Sequence, residues 1–491
     1  MSRFQMIGSI LTAPITVGFG GSVGLEGPTV ATGAAFGSNI SRLLHLSQTQ
    51  RTLMVGCACA GAMSAIFKAP IAAIVFAVEV FSLDLTLISL LPLLGATLSA
   101  IITSYLFFGS EILLPFELEK GFSISDLPFY ALLGVFCAFV SLYFSKVYEK
   151  THHFFYQLKT PIKRILVGGL SIGILIYLIP PLYGEGFSVI NAIIKGHPET
   201  VLDINILGLD TSNEITLVLL LLCLMAFKVV GASITFGAGG VGGIFAPTLF
   251  MGSTLGYTFA KVFNWWGIFP HSVSLSNFAL VGMAGLMAGI LHAPLTAIFL
   301  IAELTGGYKL FVPLMLTSGI SYAVVKNFVS YSIYNMELVR KGELITHNKD
   351  HAVLSLMDIQ RVIETNFIAI FPSMTLGNVV RDAVIKSNRN IFPVIEPKTK
   401  IFLGIILLDD IRSVMFDKGM YDRITVQELM RKAPEVIEIT QDKMTVIMKK
   451  FEGSGAWNIP VLDNKKYLGF VSKSKLLTAY RRKLIEVTPR A

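Results

Sequence analysis

Charge is what this chain most lacks. Lysine and arginine (40) with aspartate and glutamate (32) make only 15% of its 491 residues charged, where a soluble protein carries roughly 25%. Cysteine is scarcer: Cys57, Cys59, Cys137 and Cys223 all lie in apolar segments. Cys57 and Cys59 are spaced like a metal or redox pair but have no neighbouring ligands, so they read as small buried residues at a helix interface. No GxxxxGK[ST] loop, nucleophile–base set or metal-ligand cluster is present, which argues against an enzyme. The apolar N-terminus runs into a glycine-rich segment without a cleavage-like site, so it does not read as a signal peptide. The net charge of +8 fits basic cytoplasmic loops of a membrane protein and gives no reason to expect nucleic acid.

What is present is apolar. Hydrophobic residues make up 53% and the mean hydropathy is +0.67. The runs at 87–108, 129–144, 215–230 and 310–325 approach the roughly 20 residues that span a bilayer. Glycine and proline interrupt many runs, which predicts tilted or partial helices in a polytopic α-helical membrane protein.

Two short segments share one design. Gly24-Leu25-Glu26-Gly27-Pro28-Thr29 and Gly243-Ile244-Phe245-Ala246-Pro247-Thr248 each follow a glycine-rich approach and open an apolar stretch. Proline just inside a helix start needs no N–H, while its neighbours' free N–H groups point outward. Such an end attracts anions, and glycine lets the backbone come close. Gly24 and Gly27 in one copy, and Gly243 in the other, are therefore candidate anion-binding residues. A second pair follows: the segments 69–79 and 293–303 are identical at five of eleven positions, including Ala69-Pro70 with Glu79 and Ala293-Pro294 with Glu303. Two motifs in the same order predict an inverted repeat whose broken helices meet at the membrane midplane. Glu79 and Glu303 read as structural or vestibule groups, and Lys68 and His292 as local positive charge.

Composition changes near residue 340. Beyond it, Phe392-Pro393-Val394-Ile395 leads to Leu403-Gly404-Ile405-Ile406, and Ile459-Pro460-Val461-Leu462 leads to Leu468-Gly469-Phe470-Val471. Short β-rich runs alternate there with amphipathic helices at 375–387 and 443–451, the pattern of a soluble α/β tandem.

At these residues the chain resembles the CLC family of chloride channels and chloride/proton exchangers, followed by a pair of CBS domains. The resemblance implies a transmembrane anion-transport domain over residues 1–345, CBS domains over 346–417 and 424–485, and an integral protein of the plasma or inner membrane. It also implies a homodimer with its CBS domains in the cytoplasm. Glu26 would be the gating carboxylate, Ile244 and Phe245 would bind the central anion through backbone N–H groups, and Tyr334, in a final pore helix with Leu338, would close the inner side. Helix-end stabilisation of about 0.3–2 kcal/mol for the charged Glu26 opposes a cost of about 2.5–3.5 kcal/mol for an unpaired charge at membrane depth. Such a group exchanges readily between anion mimic and neutral acid.

Three departures shape the expectation. Leu25 stands where the family has arginine or lysine, which removes one cation. Val80 stands where exchangers often carry an inner glutamate. The family's first motif, G-S-G-[IV]-P, is absent, so an upstream reading frame encoding it is expected. The reading is chloride transport, channel-like or weakly proton-coupled. A chloride/proton antiporter and a truncated, transport-dead protein acting through its CBS domains are the alternatives. No cofactor is expected. Adenine nucleotide is the candidate CBS ligand, through Asp410 and Ser472, but Leu407 and Lys475 break the family pattern in each half, so weak binding is expected.

Overall fold

The computed structural model describes residues 4–81, 83, 86–109, 122–202, 211, 213–268, 271–336, 354 and 357–487. Leu338, the charged run at 340–343 and the expected start of the first CBS domain at 346 lie outside them. The chain forms two compact units, Met1–Arg340 and Lys341–Ala491.

The first unit is helical. It opens with α1 (Phe4–Gly18), α2 (Glu26–Leu43), α3 (Gln48–Phe67), α4 (Pro70–Phe81) and α5 (Leu87–Phe108). Then come α6 (Leu127–Gln157), α7 (Pro161–Leu178) and the short α8 (Phe187–Ile194) and α9 (Glu199–Leu202). It closes with α10 (Glu214–Gly237), α11 (Phe245–Trp265), α12 (Leu275–Leu291), α13 (Pro294–Leu304) and α14 (Phe311–Phe328). The two halves pack alike. α3 contacts α2, α4 and α5, α12 contacts α11, α13 and α14, and α4 packs on α13 across the repeat.

Among the described residues, five helical stretches are long and apolar enough to cross a membrane, including Leu87–Phe108, Pro161–Leu178 and Glu214–Gly237. α4 and α13, of 12 and 11 residues, reach roughly 17 Å. Neither can cross a hydrocarbon core of about 30 Å alone. Each starts on a proline, which suits a helix's first position. The residues before these turns, Lys68 and His292, take left-handed φ values of 53° and 56°, so the chain reverses in the same way in both halves.

Burial separates the helices by role. α5 and α7 expose Leu87, Ile88, Leu91, Ile162, Ile165 and Leu170, an apolar surface suited to lipid and too large for water. α11 from Phe245 to Ala260 and α12 from Asn277 to Leu291 are buried throughout. These two helices are the centre of the unit, and α11 starts at the site described below.

The second unit is α/β. Its strands are β1 (Ile363–Glu364), β2 (Ile391–Ile395), β3 (Phe402–Leu407), β4 (Ile437–Glu438), β5 (Asn458–Asp463) and β6 (Lys466–Ser472). β2 and β3 form an antiparallel pair, and the other four run in the order β1-β6-β5-β4. Its helices are α15 (Leu376–Val379), α16 (Leu408–Ile411), α17 (Val426–Leu429), α18 (Met444–Ser454) and α19 (Lys473–Val487). The helix expected over 375–387 is shorter, with α15 running into a π-helical stretch, Val380–Val384. Each half has its own core, around Phe392 and Ile406 in one and Ile459 and Val471 in the other. The halves join where Phe402 N–H donates to the Lys465 carbonyl (2.9 Å), Tyr467 N–H donates to the Lys400 carbonyl (3.1 Å), and Phe367 meets Phe470 at 4.6 Å between ring centroids.

Candidate functional site

The two glycine-proline segments touch. Gly24 N–H donates to the Gly243 carbonyl at 2.9 Å, and Gly243 N–H donates to the Gly24 carbonyl at 2.7 Å. Above this bridge the contacts are again exchanged. Ser22 N–H donates to Thr235 Oγ1 at 3.2 Å, and Val241 N–H donates to Thr16 Oγ1 at 3.1 Å. Gly20 and Gly239, each four residues before the bridging glycine, have φ of 93° and 98°, which L side chains seldom adopt. Contacts exchanged between equivalent positions are what a two-fold relation produces.

The bridge corrects one expectation. The N–H groups of Gly24 and Gly243 are spent on each other, so these glycines are not anion donors. With Gly27 they permit close approach. A Cβ on Gly27 would lie 2.8 Å from Gly243 Cα, and one on Gly243 would lie 2.8 Å from Gly27 N. The donors that remain belong to the first helical turns. In α11 these are Ile244, Phe245 and Ala246, ahead of the first intrahelical bond from Thr248 N–H to the Ile244 carbonyl.

Glu26 is the first residue of α2 and is only 3% exposed. Neither carboxylate oxygen has a partner in hydrogen-bond geometry. The side chain folds back against its own motif, so that a Cβ on Gly24 would run into it. The N–H groups of Glu26 itself and Ala246 face it, and its charged neighbours are Glu185 and Lys228. The carboxylate thus lies over the start of the opposite repeat's helix. Phe245, its counterpart there, packs instead on Phe67, with ring centroids 5.1 Å apart.

Glu185 and Lys228 were not among the sequence candidates. Glu185 Oε1 accepts from Leu25 N–H at 2.8 Å. Lys228 on α10 is fully buried, donates to the Gly184 carbonyl at 2.8 Å and lies 4.9 Å from the centroid of the Phe250 ring. The site therefore has a basic side chain although position 25 is leucine. A signal existed: an ionisable side chain inside a membrane-length apolar helix marks a functional position, and Lys228 lies in the apolar run at 215–230.

Tyr334 stands in a helical turn at 333–336, half-buried against the core of the first unit. Its hydroxyl is within electrostatic reach of Glu26 and Tyr148. Glu79 and Glu303 cap one another's helices. Glu79 accepts from the N–H groups of Leu295 (2.9 Å) and Thr296 (2.8 Å) and from Thr296 Oγ1 (2.6 Å). Glu303 accepts from the N–H groups of Ile71 (3.1 Å) and Ala72 (2.8 Å). The Lys68 ammonium is tied to the Gly109 carbonyl at 2.6 Å, and His292 packs edge-on against Tyr322.

In the second unit the candidate nucleotide contacts are already engaged. Asp410 accepts from Leu407 N–H at 2.9 Å and pairs with Arg431 Nε at 3.3 Å. Ser472 Oγ accepts from Lys475 N–H at 3.3 Å and lies beside the Glu364 carboxylate. That carboxylate pairs with Arg389 at 3.0 Å. Burial acts to raise the Glu364 pKa, but the Ser472 hydroxyl, Arg389 and Lys475 outweigh it and hold the carboxyl below its usual range.

A family model described as voltage gated chloride channel matches residues 1–326, and one described as CBS domain matches residues 426–482. The H(+)/Cl(-) exchange transporter ClcA of Vibrio cholerae is 30% identical over 311 residues, covering 62% of this chain and 62% of that protein. The chain thus spans less than two thirds of that relative's length. The voltage-gated ClC-type chloride channel ClcB of Citrobacter koseri is 25% identical over 327 residues, covering 66% of this chain and 73% of that protein. Among solved structures, a slow cyanobacterial Cl-/H+ antiporter shares the fold with a TM-score of 0.59 at 23% identity, over 69% of this chain and 76% of that one. A eukaryotic CLC transporter does so with a TM-score of 0.51 at 17% identity, over 96% of this chain and 84% of that one.

Proposed function

Because the chain belongs to the voltage gated chloride channel (CLC) family, we propose that it moves chloride across a membrane through the gap between the starts of α2 and α11, with Glu26 as the gate. The supporting observation is the Glu26 carboxylate, buried and without hydrogen-bond partners, lying over the N-terminus of α11, where an anion would lie. Protonation removes its charge and its reason to stay there, and chloride then takes the place of the carboxylate. Ile244, Phe245 and Ala246 supply N–H donors, and Tyr334 closes the opposite side. In this reading the protein is a homodimer in the plasma or inner membrane, with cytoplasmic CBS domains. Residues 1–345 form its transport domain, and 346–417 and 424–485 its two CBS domains.

Movement is channel-like or weakly proton-coupled. The inner relay position holds Val80, which carries no proton, and the adjacent Glu79 is occupied by three donors from α13. The exchanger reading has the ClcA relative in its favour. Reversal potentials of the reconstituted protein in opposed chloride and pH gradients separate the two. A pure chloride Nernst potential supports the channel, and a steady offset set by the proton gradient supports exchange. The gate itself is tested by flux against pH. Glu26→Gln is expected to flatten the dependence and Glu26→Ala to abolish it. Wild-type curves from both variants would remove Glu26 from the mechanism.

A further inference from the structure

We propose that Lys228 and Glu185 are positioning residues that set the pH at which the Glu26 gate opens, with Lys228 the cation that position 25 lacks and Glu185 the carboxylate that tempers it. The inference rests on the gate reading above.

The geometry is a short chain of contacts. Glu26 follows Leu25, whose N–H is held by Glu185 Oε1 at 2.8 Å. Glu185 follows Gly184, whose carbonyl is held by Lys228 Nζ at 2.8 Å. Gly184 and Gly186 have φ of 62° and 86°. That backbone lets successive residues aim a carbonyl at the ammonium and a carboxylate at the α2 start. A Cβ on Gly186 would lie 3.4 Å from Lys228 Nζ and only 2.5 Å from the Phe250 ring, so the loop closes tightly over the lysine.

A buried ammonium has three N–H groups to satisfy, and one carbonyl and one ring face are few partners for a full charge. The charges it faces are Glu185 first and Glu26 second. Glu26 in turn faces Glu185, Lys228 and, from the turn at 333–336, Tyr334. Tyr334 also faces Tyr148. Charge in this group is therefore shared. Lys228 favours the charged, blocking form of Glu26, and Glu185 opposes it.

The test is chloride efflux from proteoliposomes as a function of pH, on an acid-activated gate. Lys228→Met removes the cation, so Glu26 protonates more easily and the midpoint rises by about one pH unit. Lys228→Arg restores the wild-type midpoint. Glu185→Gln keeps an acceptor for Leu25 N–H but removes the opposing charge, so the midpoint falls. In a Glu26→Ala background neither change moves the curve. A purely structural pair would not give shifts of opposite sign. If Glu26→Ala removes pH dependence but Lys228→Met and Glu185→Gln leave the midpoint in place or move it the same way, this inference fails alone. If Glu26→Ala keeps the wild-type curve, the gate reading fails and takes this one with it. Should Lys228→Met not fold, Glu185→Gln and Lys228→Arg decide: the former must lower the midpoint and the latter must hold it.

Discussion

Glu79 and Glu303 each close the helix that the other's repeat begins: Glu79 binds the first N–H groups of α13, and Glu303 those of α4. A carboxylate at a helix N-terminus satisfies orphan donors and opposes the helix dipole, worth about 0.5–2 kcal/mol. Glu79→Ala and Glu303→Ala should each lower the melting temperature of the detergent-solubilised protein by a similar amount. Glu79→Gln should leave the reversal potential unchanged. A shift in that potential would identify Glu79 as a proton carrier and overturn the capping role.

Gly24 and Gly243 look interchangeable in sequence, yet their substitutions should differ. A Cβ on Gly24 meets first the Glu26 carboxylate, the far end of a flexible side chain, and next the Ala246 methyl at 2.9 Å. Gly24→Ala should therefore yield folded protein with a displaced gate and raised flux at neutral pH. A Cβ on Gly243 meets the backbone of Gly27, which cannot yield without separating the two helix starts. Gly243→Ala should show as poor yield or early melting. Equal yields and equal fluxes for the two variants would contradict the geometry.

The CBS region should bind nucleotides poorly. Asp410 is committed to Leu407 N–H and Arg431, so a ribose hydroxyl must break existing bonds to reach it. Titration calorimetry of the full-length protein with ATP, ADP and AMP should give no dissociation constant tighter than about 100 μM. Tighter binding would mean that these contacts rearrange at little cost.

Acid should loosen the second unit at β1 and β6. The Glu364 carboxyl, opposed by its burial, is held below its ordinary value of 4.5 by the Ser472 hydroxyl, Arg389 and Lys475. A depressed carboxyl stabilises the fold above its unfolded value, and that contribution is lost as pH falls through its folded value. Protection of the β1 and β6 amides against hydrogen exchange, taken relative to intrinsic exchange at each pH, should therefore fall below pH 4.5. Glu364→Gln should give faster exchange at neutral pH and a weaker acid response, with roughly 1–2 kcal/mol of local stability lost.

Much of this arrangement could be read from sequence because it is local. A proline just beyond a glycine-rich approach marked the starts of α2 and α11, and the Ala-Pro pairs marked α4 and α13. Short β-rich runs between amphipathic helices located β2, β3, β5 and β6. What escaped depends on residues far apart in the chain. That Gly24 and Gly243 donate to each other, rather than to an ion, follows only from their meeting across 219 residues. Glu185 reaches Leu25 across 160 residues, and no pattern near either one shows it. Lys228 was legible in principle, since a lone lysine in an apolar helix demands a partner. Its reading as part of a span concealed the cation that Leu25 seemed to remove.

The exchanged contacts at Thr16 and Thr235, at Gly24 and Gly243, and at Glu79 and Glu303 give the starts of α2 and α11, and of α4 and α13, the same local framework in either repeat. A directional response, whether rectified current or unequal sensitivity to acid on the two sides, is expected to arise from the differences between the repeats. The sharpest is a glutamate at 26 facing a phenylalanine at 245.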